Sequence, residues 1–303
     1  MSTPTVLYPQ GDSLWQGDPL LSVTGTGDSI PWGVDAVFQY NELQFNYKDY
    51  IDKIVIHSID GNDDNDIRDN REDNPAEEGE TAFDAFDGGR TLVFAGRIEA
   101  YQRDKLRDME MAFRTAFNDL NEKPLYYLTG DITKDHYINC RKSSKFQMTE
   151  EQKYQNHFFR EFQLTLRASN PRFLKYQSKT ISIDPDEDNQ IDINNFGNYT
   201  SEPIITFFGG LSNVGFDLSH SGETYEFRLK SGVTIADQDF YRLDVAKKTL
   251  KNQAGENKFS DLDPDSDIVK FPAGASKLII PDGISMGTSS NAEIQVIYRD
   301  SYK

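Results

Sequence analysis

Residues 162–173 read Phe162-Gln163-Leu164-Thr165-Leu166-Arg167-Ala168-Ser169-Asn170-Pro171-Arg172-Phe173. The first half alternates. Phe162, Leu164 and Leu166 point one way, and Gln163, Thr165 and Arg167 the other, which is the period of a half-buried strand. The second half stops it. Pro171 offers no backbone donor to a ladder and holds Asn170 extended or in a turn. A strand ending in Ser-Asn-Pro near mid-chain is a candidate for the exit from one domain toward another, and an ordinary strand-to-loop junction is the alternative reading.

Upstream of this stretch the pattern mixes strands with one helix. Strands are expected at Ala36–Tyr40, Tyr50–Ser58, Thr91–Ala100, Leu125–Leu128 and Tyr137–Cys140. A helix is expected over about Arg103–Glu122, because Leu106, Met109, Phe113, Ala116, Phe117 and Leu120 recur every three or four residues and form one stripe. Arg107, Asp108, Glu110, Arg114, Asn118 and Asp119 fall largely opposite, and Pro124 is the expected stop. The segment Ser144–Phe162 is polar with scattered aromatics. Residues 1–35, rich in Gly, Pro, Ser and Thr, read as an irregular arm anchored by Leu14, Trp15, Leu20, Leu21 and Trp32.

Downstream of Pro171 helical periodicity is missing. Short strands are expected at Lys179–Ile183, Ile204–Phe208, Gly215–Leu218, Thr224–Leu229, Tyr241–Val245, Thr249–Lys251, Lys277–Ile280 and Glu293–Tyr298. Turn clusters separate them, among them Asn195-Phe196-Gly197-Asn198 and Ser219-His220-Ser221-Gly222. This is the pattern of an all-β sandwich. The fold class is therefore α+β, mainly β, with an arm over 1–35, an N-terminal domain over 36–172 and a β-sandwich over 173–303.

Composition narrows the function. The chain of 303 residues is 37% hydrophobic and 12% aromatic, and carries a net charge of −18. A surface this acidic argues against binding nucleic acid through clustered Lys and Arg. No apolar run approaches the roughly 20 residues that a spanning helix needs, so no membrane is expected. The N-terminus lacks the basic and apolar regions of a signal peptide, and cytoplasmic synthesis is expected. One cysteine, Cys140, allows no intrachain disulfide, and a lone Cys on a strand reads as a small buried hydrophobe.

Candidate chemistry is sparse. His57, His136, His157 and His220 share no zinc spacing, and no serine sits in a Gly-x-Ser-x-Gly elbow. No catalytic residue and no cofactor is expected. In the acidic run Asp60–Glu80, the candidate calcium ligands are Asp60, Asn62, Asp64 and Asp66. An EF-hand fails there, since Asn65 stands where the loop wants Gly and Arg71 where it wants a bidentate Glu. A solvated surface loop is the favoured reading.

Several landmarks follow one another in a familiar order. They are Ile59-Asp60-Gly61 closing a strand; Gly89-Arg90-Thr91-Leu92-Val93-Phe94-Ala95-Gly96-Arg97-Ile98-Glu99-Ala100; the amphipathic helix; and Lys123-Pro124-Leu125. Leu166–Phe173 follows, where the family often has Ala-x-Asp-Pro-Arg-Phe. Then come Asn194–Asn198, Glu202-Pro203-Ile204-Ile205, Ser221-Gly222-Glu223, Ser266-Asp267, Phe271-Pro272-Ala273-Gly274 and Val296–Tyr302. In this order the chain resembles the distal tail protein (Dit) family of long, non-contractile-tailed phages and related tailed viruses. Residues 1–35 and the 60–80 loop look longer than in a minimal member.

The resemblance implies a structural virion protein, not an enzyme, made in the host cytoplasm and placed at the distal end of the tail. It implies an N-terminal domain that builds a homohexameric ring with a central channel for genome passage, and a galectin-like C-terminal domain at its periphery. Implied partners are other copies of the chain, the major tail tube protein, the tail hub or tail-associated fibre protein, receptor-binding proteins, and genome DNA in transit. The alternative function is a carbohydrate-binding host-adhesion module. Tyr199, Tyr225, Phe227 and Tyr241 are its candidate stacking residues.

Overall fold

The structure, a computed structural model, describes residues 37–46, 52–62, 67–68, 71–73, 80–82, 86–129, 133–154, 157–185, 190–281, 285–286 and 292–303. The arm expected over 1–35 lies outside them. The chain divides into two compact units, one ending at Tyr176 and one spanning Gln177–Tyr302.

The first unit contains, in chain order, β1 (Val37–Tyr40), β2 (Leu43–Phe45), β3 (Lys53–Asp60), β4 (Ile67–Arg68), β5 (Arg71–Asp73), β6 (Glu80–Ala82), β7 (Phe86–Asp87), β8 (Arg90–Ala100), α1 (Arg103–Ala116), β9 (Lys123–Leu128), β10 (His136–Lys142), β11 (Gln147–Tyr154), β12 (His157–Ala168) and β13 (Phe173–Lys175). The main path of antiparallel pairs runs β2-β1-β9-β10-β12-β8-β3, with β11 against β12 and β13 against β10. Strands β10 and β12 pair only at Arg141↔Arg167 and Lys142↔Leu166, so the sheet turns a corner there. Its two halves face each other. Phe38 of β1 meets Phe94 of β8 edge to face at 5.7 Å.

Alternation decides what goes inside. Along β8, Leu92, Phe94 and Ile98 are buried, and along β12 so are Phe162, Leu164 and Leu166. Gly96 sits on the buried face of β8 because nothing larger fits. A Cβ there would lie 2.1 Å from the Val55 carbonyl oxygen and 2.9 Å from the Phe162 ring. Phe162, paired with Gly96 across the strands, lays its ring over that gap. Helix α1 then covers one opening of the curled sheet with Leu106, Met109 and Phe113. Phe113 lies 4.7 Å from Phe162 and 5.2 Å from Phe146, ring to ring. Tyr40 stacks on Phe117 at 4.5 Å, and the Asn41 amide donates to the Ala116 carbonyl at the helix end.

The helix is shorter than its periodicity predicts. It ends at Ala116, not Glu122, and Pro124 is not the stop. Phe117 caps it, its amide donating to the Phe113 carbonyl, and Asp119 follows. Its carboxylate accepts from the Asn121 amide at 2.9 Å, a local side-chain to backbone bond that competes with a further helical turn. Leu120, expected on the buried stripe, is 70% exposed as a result. Two further differences come from pairing. The polar segment after Ser144 forms β11, which pairs along the first half of β12, and β12 begins at His157. An edge strand needs no apolar face of its own when backbone bonds to a buried neighbour hold it. In the acidic run, β4 pairs with β7 and β5 with β6, so its described residues form ladders where a loop was expected. Strand β3 carries a bulge at His57, between the pairs Ile56↔Gly96 and Ser58↔Ala95.

The second unit contains β14 (Lys179–Ile183), β15 (Gln190–Asn195), β16 (Ile204–Phe208), β17 (Leu211–Ser212), β18 (Gly215–His220), β19 (Glu223–Arg228), β20 (Thr234–Ile235), β21 (Phe240–Asp244), β22 (Thr249–Asn252), β23 (Gly274–Ile279), β24 (Ser285–Met286), β25 (Ile294–Tyr298) and β26 (Ser301–Tyr302). One antiparallel sheet has the order β14-β25-β16-β21-β22, and a second has β15-β23-β18-β19. Their inner faces share one core. Phe207 from the first sheet stacks on Phe227 from the second at 5.5 Å, and Phe216 stacks on Phe227 at 5.1 Å. The β18–β19 hairpin turns through Ser221 (φ 52) and Gly222 (φ 88), the left-handed pair that a two-residue hairpin requires. Strand β15 was not expected from the sequence. Only Ile193 and Asn195 of its six residues are buried, and its ladder with β23 defines it.

Candidate assembly surface

Two features stand out on the described surface, one on each unit. The first is the outer side of α1. The stripe that buries Leu106, Met109 and Phe113 turns the opposite side of the helix to solvent. There a shallow recess of about 550 Å³ is lined by Asp104, Arg107, Asp108, Glu110, Met111 and Arg114. Met111, one of these residues, is 66% exposed. Glu110 is fixed on both sides, by Arg114 at 2.8 Å along the helix and by Arg160 of β12 at 2.6 Å. Arg114 also reaches the Met148 sulfur at 3.5 Å. The walls of the recess are thus held in place, whereas Arg107 carries no ion pair among the described residues.

The second feature is the turn after β15. Asn195 is buried, and its amide donates to the carbonyls of Tyr199 (2.7 Å), Phe271 (3.2 Å) and Pro272 (3.2 Å). Its Oδ1 accepts from Gly197 at 3.1 Å. Gly197 packs so closely on Ser301 that a Cβ would lie 1.9 Å from the Ser301 carbonyl oxygen. The Phe196 amide donates to the buried Asp300 carboxylate at 3.0 Å. This frame displays Phe196 with 72% of its surface in solvent. The Lys179 ammonium stands over one ring face at 4.1 Å, held by Asp300 at 2.7 Å and the Asn194 carbonyl at 2.7 Å.

A buried arginine ties the first unit together. Arg90 is fully buried. Its guanidinium donates to the carbonyls of Pro171 and Gly61 at 3.0 Å each and to that of Asn62, and it stacks on the Phe173 ring at 4.8 Å. The Tyr127 hydroxyl donates to Asn62 Oδ1 at 3.0 Å. Pro171 ends β12 and also supplies an acceptor to this cluster.

The residues singled out by chemistry lie apart. Asp60 closes β3 in solvent, and Asn62 directs its carbonyl to Arg90 and its Oδ1 to Tyr127, while Asp64 and Asp66 lie outside the described residues. No group of three His, Cys, Asp or Glu among the described residues could hold a metal. His57 occupies the β3 bulge, His136 begins β10, and His220 ends β18 with Nδ1 3.0 Å from Ser276 Oγ. The side chain of His157 lies outside the described residues. Cys140 is fully buried, and burial, with the Glu122 charge adding, pushes its thiol well above the ordinary thiol range. Of the candidate stacking residues, Phe227 and Tyr241 are core. Tyr241, whose hydroxyl donates to Asp261 at 2.9 Å, is pushed up to about 12 by burial and that bond. Tyr225 is half-buried and Tyr199 bridges to Ser301. Neither Met111 nor the exposure of Phe196 was found from sequence. Phe196 read as one turn residue among many.

The chain has the fold of SPP1 Dit (gp 19.1), described as a paradigm of the hub adsorption apparatus of phages infecting Gram-positive bacteria. The two superpose with a TM-score of 0.63 at 10% identity, over 88% of this chain and 99% of that one. Structures of the phage P2 baseplate in its activated conformation, with Ca and with Sr, align at TM-scores of 0.46 and 0.48 and identities of 11% and 12%. Each alignment covers 86% of this chain and 97% of the other. No protein-family model and no curated protein matches the sequence.

Proposed function

We propose that this chain is a ring-forming adaptor at the distal end of a viral tail. It joins the tail tube to the tail-tip hub or baseplate and leaves a central channel for the genome. The carrying observation is the extent of the fold match. Both units of this chain are covered, and SPP1 Dit is matched along 99% of its length. A fold alone does not assign function. Four large apolar side chains, Tyr101, Met111, Leu120 and Phe196, are exposed among the described residues of this fold.

In this reading the first unit builds the ring and the second, a galectin-like sandwich, sits at its periphery. The role is structural and not catalytic. A closed ring requires that each copy use two different patches, because a self-complementary patch stops at a dimer. The net charge of −18 suits a channel wall that does not retain DNA phosphates. Negative-stain microscopy of the purified chain tests the proposal. Six-fold rings with a central hole are expected. A monomer at every concentration, with or without the neighbouring tail proteins, overturns it.

A further inference from the structure

The sheet of the first unit is polar over much of its outer side. Gln163, Thr165 and Arg167 alternate outward along β12, and Asn139 and Arg141 are exposed on β10. An antiparallel sheet with one face on a core usually looks like this. The end of the sheet where β1 begins differs. Val37 of β1 lies opposite Leu128 of β9, Tyr126 of β9 opposite Tyr137 of β10, and Tyr137 opposite Leu174 of β13. Residues directly opposite share a face. These five alternate with buried neighbours such as Phe38, Tyr127 and Phe173, so they point outward. Tyr176 joins them, its ring 5.7 Å from that of Tyr126, which in turn lies 5.7 Å from that of Tyr137. All six are part-exposed. Adjoining apolar and aromatic side chains on an outer face mark a place where another surface docks.

The chain itself holds a suitable occupant. The patch borders Val37, and 36 residues precede it. They include both tryptophans of the protein, Trp15 and Trp32, and four aspartates, Asp12, Asp18, Asp28 and Asp35, but no Lys or Arg. Lys134, two residues before β10, and Lys175, opposite His136 on β13, stand at the same end of the sheet, so the charges are complementary. Trp32 is within reach. Five residue steps to Val37 span up to about 17 Å, and Tyr137 lies two strands from β1, roughly 10 Å away. Trp and Tyr suit such a contact, because each joins a large apolar ring to a polar tip that can stay in water. We propose that the segment preceding Val37 docks across this face of its own chain, with the Trp32 indole against Tyr126, Tyr137 and Tyr176. The contact is intramolecular, and the inference does not rest on the ring reading.

Tryptophan fluorescence of the full chain carrying Trp15→Phe tests it, since Trp32 is then the sole tryptophan. Its emission is expected to be blue-shifted relative to the urea-unfolded chain and shielded from acrylamide. Tyr137→Asp, with its circular dichroism unchanged, is expected to shift that emission to the red and to remove the shielding, whereas Tyr137→Phe keeps both. A second protein carrying Trp32→Cys and Tyr137→Cys is expected to form a disulfide within one chain on oxidation. Cys140 is fully buried and does not compete. Trp32 emission equal to that of the unfolded chain overturns the inference, and so does a blue-shifted emission that ignores Tyr137→Asp. Ladders of disulfide-linked copies overturn it in favour of a neighbouring copy's segment, and the absence of any disulfide overturns it outright. If Tyr137→Asp does not fold, the disulfide decides alone.

Discussion

The Asn46 side-chain oxygen accepts the amide proton of Ile56 at 2.6 Å, and the Asn46 amide donates to the Ile54 carbonyl at 2.8 Å. These two bonds carry the β2 edge of the first unit onto its β3 edge. Asn46 reaches both because its backbone is left-handed, with φ 60. Asparagine tolerates that region better than most residues and brings an acceptor with it.

Asn46→Ala is therefore expected to lower stability by about 2–3 kcal/mol, from an unpaired amide at buried Ile56 plus backbone strain. Asn46→Gly relieves the strain only, and Asn46→Asp keeps the acceptor. Urea unfolding should rank them Asp, Gly, Ala from most to least stable, at constant m. A Gly variant more stable than the Asp variant would show that relief of backbone strain outweighs the side-chain bond.

Arg90 should tolerate no replacement. Arg90→Met leaves the carbonyls of Gly61, Asn62 and Pro171 without their donor and is expected to cost about 3–5 kcal/mol. Arg90→Lys should recover less than half of that, since an ammonium cannot present the same fork of donors or stack on Phe173. Differential scanning calorimetry of the full chain reads both, as a lowered transition for the first unit.

Phe113 is the point where the helix meets the sheet. Its ring contacts Phe45, Phe117, Phe146 and Phe162. Phe113→Ala should cost about 3–5 kcal/mol, and Phe113→Leu distinctly less. Met111→Ala, on the opposite face of the same helix, should leave stability within about 0.5 kcal/mol. A large loss for Met111→Ala would mean that the recess is part of the core.

Alkaline pH should weaken the second unit through Tyr241. Its hydroxyl is held at about 12, above the ordinary tyrosine value of 10.0. The folded form keeps its proton where the unfolded form has lost it. Stability is thus full below pH ~10 and falls as pH rises from there toward ~12. Tyr241→Phe is expected to flatten that limb of the stability profile. Chemical denaturation at intervals from pH 9 to 12 measures it, and an unchanged slope in the variant would refute the assignment.

The alternation of Phe162, Leu164 and Leu166 set which face of β12 is buried, because a period of two admits only two registers and one of them exposes every apolar side chain. The α1 stripe likewise determined which face packs inward, and so which face, with Arg107, Asp108 and Arg114, looks outward. Ser221-Gly222 marked its hairpin because few residue pairs accept two left-handed conformations. The mainly β character with one helix and the burial of Cys140 were legible in the same way. Tertiary structure decided the rest. Periodicity cannot see Asp119 bonding to Asn121, so the helix end and the exposure of Leu120 were misplaced. Strands β11 and β15 have no strong pattern of their own and exist through the ladders of their partners. The strand pattern does not single out Arg90, which three carbonyls and a ring from distant segments surround. Phe196 reads as a turn residue until Asn195, Gly197, Asp300 and Lys179 fix it outward. A local pattern records which side of an element is apolar. It does not record which remote groups will arrive to satisfy a charge or to leave a ring in solvent.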